Sequence, residues 1–184
     1  YPDSYESVGT SVDSCSWSVE DISGVVEMIG ELGDLMEDCE SKERKVLTAK
    51  ITMDIDKPVW YDPSPYKYEE YDESKAEWEN ATAEYEKAKQ ERSAKLTEIK
   101  ARILELQNGD FCGWSIVHRY RASASKGEDL QVDEMCFFSD KEFTNGIGWP
   151  IRSMNIISKV INLIKTEESE EELIEALDEF MFLI

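Results

Sequence analysis

From Ile22 onward the apolar residues Ile22, Val25, Ile29, Leu32, Met36 and Cys39 recur at alternating steps of three and four. That spacing predicts a single stripe along an α-helix. Ser18, with Asp21 three residues on, has the form of a capping box and should open the helix. Gly24, Gly30 and Gly33 each weaken it by up to about 1 kcal/mol relative to alanine, so it must rely on packing. Residues 46–56 (VLTAKITMDID) then change to a period of two. Leu47, Ala49, Ile51, Met53 and Ile55 alternate with Thr48, Lys50, Thr52, Asp54 and Asp56, which predicts a half-buried β-strand.

Between Tyr66 and Gln107 there is neither Gly nor Pro, and good helix formers dominate. One helix about 60 Å long is expected at 1.5 Å per residue. Its inward seam reads Tyr71, Ser74, Trp78, Ala81, Tyr85, Ala88, Arg92, Leu96, Ile99, Ile103 and Leu106. The steps are those of a heptad with one extra step of four near Arg92, a stutter. The lack of any turn residue favours a straight helix over a folded one. Asn108-Gly109-Asp110 ends it.

Residues 111–122 and 130–139 read as a β-hairpin. The loop does not fix the register: if the turn centres on Gly127, Cys112 lies opposite residue 141 or 142 and not Cys136, and a bridge between them would need a different register. Asn145-Gly146-Ile147-Gly148 reads as a loop, and Pro150 suits the start of another helix. In that helix Met154, Ile156, Ile157, Val160, Ile161, Leu163 and Ile164 leave little polar face, so it should be the most buried one. Ser169 with Glu172 is a second capping box, opening a terminal helix lined by Leu173, Leu177, Phe180, Met181 and Ile184. Residues 1–17 are rich in Ser without apolar periodicity and read as a flexible arm.

This order predicts an α+β fold. A small antiparallel sheet, built from the 46–56 strand and the 111–139 hairpin, would be covered by helices within one domain, 18–184. The 66–107 helix would be an insertion, packed along the sheet or projecting as a coiled-coil arm.

Charge changes the picture more than composition does. The 184 residues contain 41 Asp and Glu against 20 Lys and Arg, a formal net charge of −21. That balance excludes direct nucleic-acid binding through phosphate contacts, which need a basic face. No apolar run is long enough to span a membrane. Residues 1–40 hold eleven acids and residues 166–184 hold eight, neither with any Lys or Arg, so the two ends carry 19 of the 21 net charges. Glu27, Glu31, Asp34 and Asp38 lie opposite the first apolar stripe, about 5 Å apart along the helix. Glu171, Glu175 and Asp178 do the same in the terminal helix. Trp60, Tyr61, Tyr66 and Tyr68, set among acids, have the composition of an interface anchor.

The expected function is therefore a non-enzymatic acidic interaction protein. It would be an inhibitor or adaptor that meets a basic partner surface, with nucleic-acid mimicry against a nucleic-acid-handling enzyme as its sharpest form. The alternatives are a coiled-coil assembly subunit dimerising through the long helix, and a metal-dependent hydrolase using Asp54 and Asp56 with Asp133 or Glu134. A Cys112 or Cys136 nucleophile with His118, the only histidine, has nothing local to activate it. No cofactor and no metal site are expected, because none of the phosphate-cradling or metal-ligating motifs is present. The four cysteines lack zinc-ligand spacing, and a domain of this size does not need disulfides, so a reduced cytoplasmic protein is expected; secretion is the alternative, and the sequon Asn80-Ala81-Thr82 would fit it.

Overall fold

A computed structural model of the chain describes residues 5–58, 65–122, 131–166 and 169–183. The elements run β1 (Tyr5–Cys15), α1 (Val19–Asp56), α2 (Pro65–Gln107), β2 (Gly113–Ala122), β3 (Gln131–Asp140), β4 (Gly146–Pro150), α3 (Ile151–Thr166) and α4 (Glu170–Met181). The fold is α+β, with a four-stranded antiparallel sheet in the order β1-β2-β3-β4. The backbone divides into two compact units. One takes the chain up to Gly30 together with Glu98–Ile184, and the other is Glu31–Thr97. The second unit thus draws on both α1 and α2.

In the first unit, Ser18 caps α1 as its spacing predicts. The Asp21 N–H donates to Ser18 Oγ at 3.1 Å, and Asp21 Oδ2 accepts from the Ser18 N–H at 3.1 Å and its hydroxyl at 2.8 Å. Arg102 of α2 grips the other oxygen of the same carboxylate. Desolvation pushes the Asp21 carboxyl up, but the Ser18 hydrogen bonds and the Arg102 guanidinium together hold it below its ordinary value of 3.8. A carboxylate with a lowered folded pKa lends stability that is complete above the unfolded pKa and disappears as pH falls through the folded one. Asp21→Ala should therefore cost about 1 kcal/mol at neutral pH, and nothing once acid has protonated Asp21 in the parent. Urea denaturation of both proteins at pH 7 and pH 2.5 checks this; a constant difference would contradict it.

The core of this unit is formed by Ile22, Val25 and Ile29 of α1, Ile99, Ile103 and Leu106 of α2, Cys136 of β3, and the inner stripes of α3 and α4. α3 buries Ile156, Ile157, Val160 and Ile164, and α4 buries Leu173, Ala176, Leu177 and Phe180. Contrary to expectation α3 is no more buried than α4, since Arg152, Asn155, Ser158, Lys159 and Asn162 turn a polar side to solvent. Ser169 caps α4, its side chain accepting from the Glu172 N–H at 3.2 Å.

The second unit is a helical hairpin. Glu31 and Lys95 pair at 2.5 Å, and Lys42 lies near Glu84 and Glu91, so the two helices run antiparallel. Leu32, Met36 and Cys39 are buried from one side, and Ala88 and Ser74 from the other. Every seam position expected of α2, from Tyr71 through the stutter at Arg92 to Leu106, is buried or half-buried. The helix is unbroken, so it does not fold back on itself.

Three expectations are corrected. Residues 46–56 form the last three turns of α1 and not a strand. On the helix Val46, Ala49 and Met53 continue the seam, while Leu47, Ile51 and Ile55, four apart, form an outer stripe exposed by 56%, 61% and 75%. Two interleaved helical stripes produce the same alternation as a half-buried strand. The supposed arm is edge strand β1, paired along β2. Its burial is too slight to leave an apolar period, because backbone hydrogen bonds and not side chains secure it. Asn145–Gly148 leads into β4 instead of remaining a loop, with Gly148 opposite Phe137. A Cβ at Gly148 would come within 2.4 Å of the Phe137 ring, so only glycine lets that ring lie across β4. The hairpin forms, and its register, which the sequence left open, sets Gly113 opposite Asp140 and Cys136 opposite Val117. All four cysteines are free thiols.

Candidate functional site

α1 presents Glu27, Glu31 and Asp34 to solvent and leaves Asp38 half-buried. Two of the four are already neutralised, Glu31 by Lys95 at 2.5 Å and Asp38 by Lys42 at 2.7 Å. Glu27 and Asp34 stand outside any ion pair among the described residues. The regular negative row expected on α1 is therefore halved by cations from within the hairpin.

α4 retains its charge. Glu171, Glu172, Glu175 and Asp178 are exposed and stand outside any ion pair among the described residues, and Glu179 reaches Lys159 at only 4.0 Å. Acids in the first turn suit the positive end of the helix dipole. Asp178 and Glu179 lie at the negative end, and the last turn has no basic residue, so these charges oppose the dipole.

Trp60 and Tyr61 lie outside the described residues. Tyr66 and Tyr68 occupy the first turn of α2, both exposed. A hydrogen bond to Glu70 pushes the Tyr66 hydroxyl pKa up, and Lys67 bridges to the same carboxylate at 2.9 Å.

The sheet holds a surface that the sequence reading did not single out as a site. Cys136, Phe138, Ile147 and Trp149 point to the helices, as the contacts of β3 and β4 with α3 and the burial of Cys136 show. The register then places Trp114, Ile116, His118 and Tyr120 of β2, Thr10 and Val12 of β1, and Met135 and Phe137 of β3 on the opposite, open face. Rings continue at both ends. Phe111 meets Trp114 edge-on at 5.0 Å, Phe143 stacks on Trp114 at 6.0 Å, and Tyr5, His118 and Tyr120 stack on one another. His118 accordingly belongs to an open sheet face, where Thr10 Oγ lies 2.8 Å from its Nδ1 and the Tyr5 hydroxyl meets its Nε2. Cys136 is on the other face, where burial pushes its thiol pKa up, so a Cys136–His118 pair does not assemble.

The strand premise of the metal-site alternative also fails. Asp54 and Asp56 are helical residues of the second unit, whereas Asp133 and Glu134 belong to β3 in the first. No group of three or more His, Cys, Asp or Glu able to hold a metal occurs among the described residues. A groove of about 450 Å³ between β1, α1 and α3 is lined by Trp17, Val26, Phe138, Met154 and Ile161, with Cys15 its single ionisable side chain. Among the described residues no helix is long and apolar enough to cross a membrane.

Comparison with protein-family models, with curated proteins and with solved structures finds no match to this chain.

Proposed function

We propose that the chain is a non-enzymatic interaction protein, an inhibitor or adaptor, whose acidic surface meets a basic patch on a partner protein. The observation that carries this reading is α4: four exposed carboxylates outside any ion pair among the described residues on a twelve-residue helix, one of them, Asp178, placed with Glu179 against the helix dipole. Carboxylates that work against local stability are better accounted for by recognition than by solubility, since solubility could be met at any exposed position. Mimicry of a nucleic-acid backbone is the narrower form of the proposal, and α1 supports it less because Lys42 and Lys95 interrupt its row. A reducing, cytoplasmic setting is proposed with it, supported by the four free thiols.

A coiled-coil subunit is supported less, because the α2 seam is filled within the chain. Its residues in the hairpin face α1, and a second copy would have to displace that helix.

The test combines Glu171→Gln, Glu175→Gln and Asp178→Asn. Affinity capture from native lysate at low salt should lose partners that the parent retains, and raising the salt should release the same partners from the parent. Asp178→Asn alone should raise stability by about 0.5 kcal/mol while weakening capture. Equal capture by parent and triple variant would refute the proposal.

A further inference from the structure

We propose that the chain forms a two-fold dimer with a second copy of itself, joined through the open face of the sheet. Four observations in the first unit lead there.

The first is electrostatic. The chain carries a net charge of −21, so two copies repel over most of their surface. Along the paired strands, however, the open face holds a single formally charged side chain, Asp133, opposite Tyr120. It is where two copies could meet with least repulsion.

The second is polar satisfaction. The Trp114 indole N–H donates to the Lys141 carbonyl at 3.2 Å, Ser139 Oγ donates to the Asn145 carbonyl at 3.1 Å, and the Tyr120 hydroxyl donates to Asp133 at 3.4 Å. Both imidazole nitrogens of His118 have hydroxyl partners on the same face. Groups already paired with one another leave water at little cost, whereas unpaired ones resist burial.

The third is strain. Phe143 has φ 58, in the left-handed region that favours glycine, yet it is a phenylalanine and 59% exposed. The Asp140 carboxylate maintains that turn by accepting from the Thr144 N–H at 2.7 Å, the Thr144 hydroxyl at 2.5 Å and the Asn145 N–H at 2.9 Å. The turn lays the Phe143 ring flat on Trp114, extending the aromatic band into solvent. Strain maintained for an exposed ring points to use of that ring in recognition.

The fourth is extent. Four strands at about 4.8 Å spacing and about 3.3 Å per residue give roughly 600 Å² of face per copy, and a pair would bury roughly 1,200 Å². That reaches the lower bound for a specific interface. Sheets pack face to face through rings and β-branched side chains of this type. Growth by strand addition at β1 is disfavoured, because a bulge between Ser7 and Gly9 breaks its ladder. A single-stranded nucleic acid stacked on the rings would need a cationic groove, which this acidic chain does not provide.

Sedimentation equilibrium over a range of concentrations should give twice 21.2 kDa for the wild type. Adding salt should leave the dimer intact or tighten it by screening repulsion, the opposite of its effect on a basic partner. Val12→Glu and Phe137→Glu, both at exposed positions, should each weaken the dimer about 100-fold by burying an unpaired carboxylate, with the circular dichroism spectrum of the folded state unchanged. Ile51→Glu, on the outer face of α1, and the α4 triple variant should dimerise as the wild type does. A wild-type monomer at every concentration overturns the proposal. So does a dimer that survives both face substitutions, one that Ile51→Glu dissociates, or binding of a thymidine oligonucleotide to the wild type.

Discussion

Phe180→Ala is expected to destabilise the protein by about 4 kcal/mol, the largest effect predicted for any side-chain truncation here. Phe180 is 2% exposed on the inner face of α4, in a stripe with Leu173, Ala176 and Leu177. α4 is held mainly by its packing on α3, and a helix of twelve residues is marginal in isolation. Truncation would therefore remove the transfer free energy of the ring and leave a cavity among branched aliphatic side chains that cannot collapse fully into it. Urea denaturation followed by circular dichroism should show an earlier midpoint for the first unit. A midpoint within about 1 kcal/mol of the parent would mean that α4 is not integral to that core.

Gly113→Ala is expected to cost about 3 kcal/mol through a different mechanism. Gly113 opens β2 opposite Asp140, and a Cβ there would lie 2.0 Å from the Ser139 carbonyl oxygen and 3.1 Å from its carbon. Both atoms are backbone, so no rotamer change relieves the overlap. β2 and β3 would have to separate where their ladder begins, which would also disturb Trp114 on the open face. Gly24→Ala supplies the opposite sign. Nothing lies within 4 Å of a Cβ at that helical position, so up to about 1 kcal/mol of helix propensity should be gained. Thermal melts of the two variants should move in opposite directions, and a neutral Gly113→Ala would contradict the strand register.

Neighbouring segments of this chain differ in how fully their sequence discloses their structure. The α2 seam was readable to the residue, stutter included, because helical packing repeats every three or four positions over forty residues and no turn residue interrupts it. Both capping boxes were readable for the related reason that their hydrogen bonds span only three residues. Residues 46–56 misled because a helix with two apolar stripes, one at Val46, Ala49 and Met53 and one at Leu47, Ile51 and Ile55, reproduces the period of a strand. Residues 5–15 misled because an edge strand exposed on both faces has no apolar pattern to reveal it.

The acidic residues were likewise visible at once as types and positions, but their charge state as a surface was not. Asp38 loses its isolation to a lysine four residues along the same helix, whereas Glu31 loses it to Lys95, sixty-four residues away. The open aromatic face depends on still more distant relations. Alternation along β2 put Trp114, Ile116, His118 and Tyr120 on one side, but nothing local says which side the helices take. Sequence alone, then, determined the long α2 helix, both helix caps, the existence of the hairpin and the lopsided charge, all consequences of short-range periodicity and composition. Tertiary structure decided which acids keep their charge exposed and which sheet face stays open, because ion pairing and burial depend on residues the chain brings together from far apart.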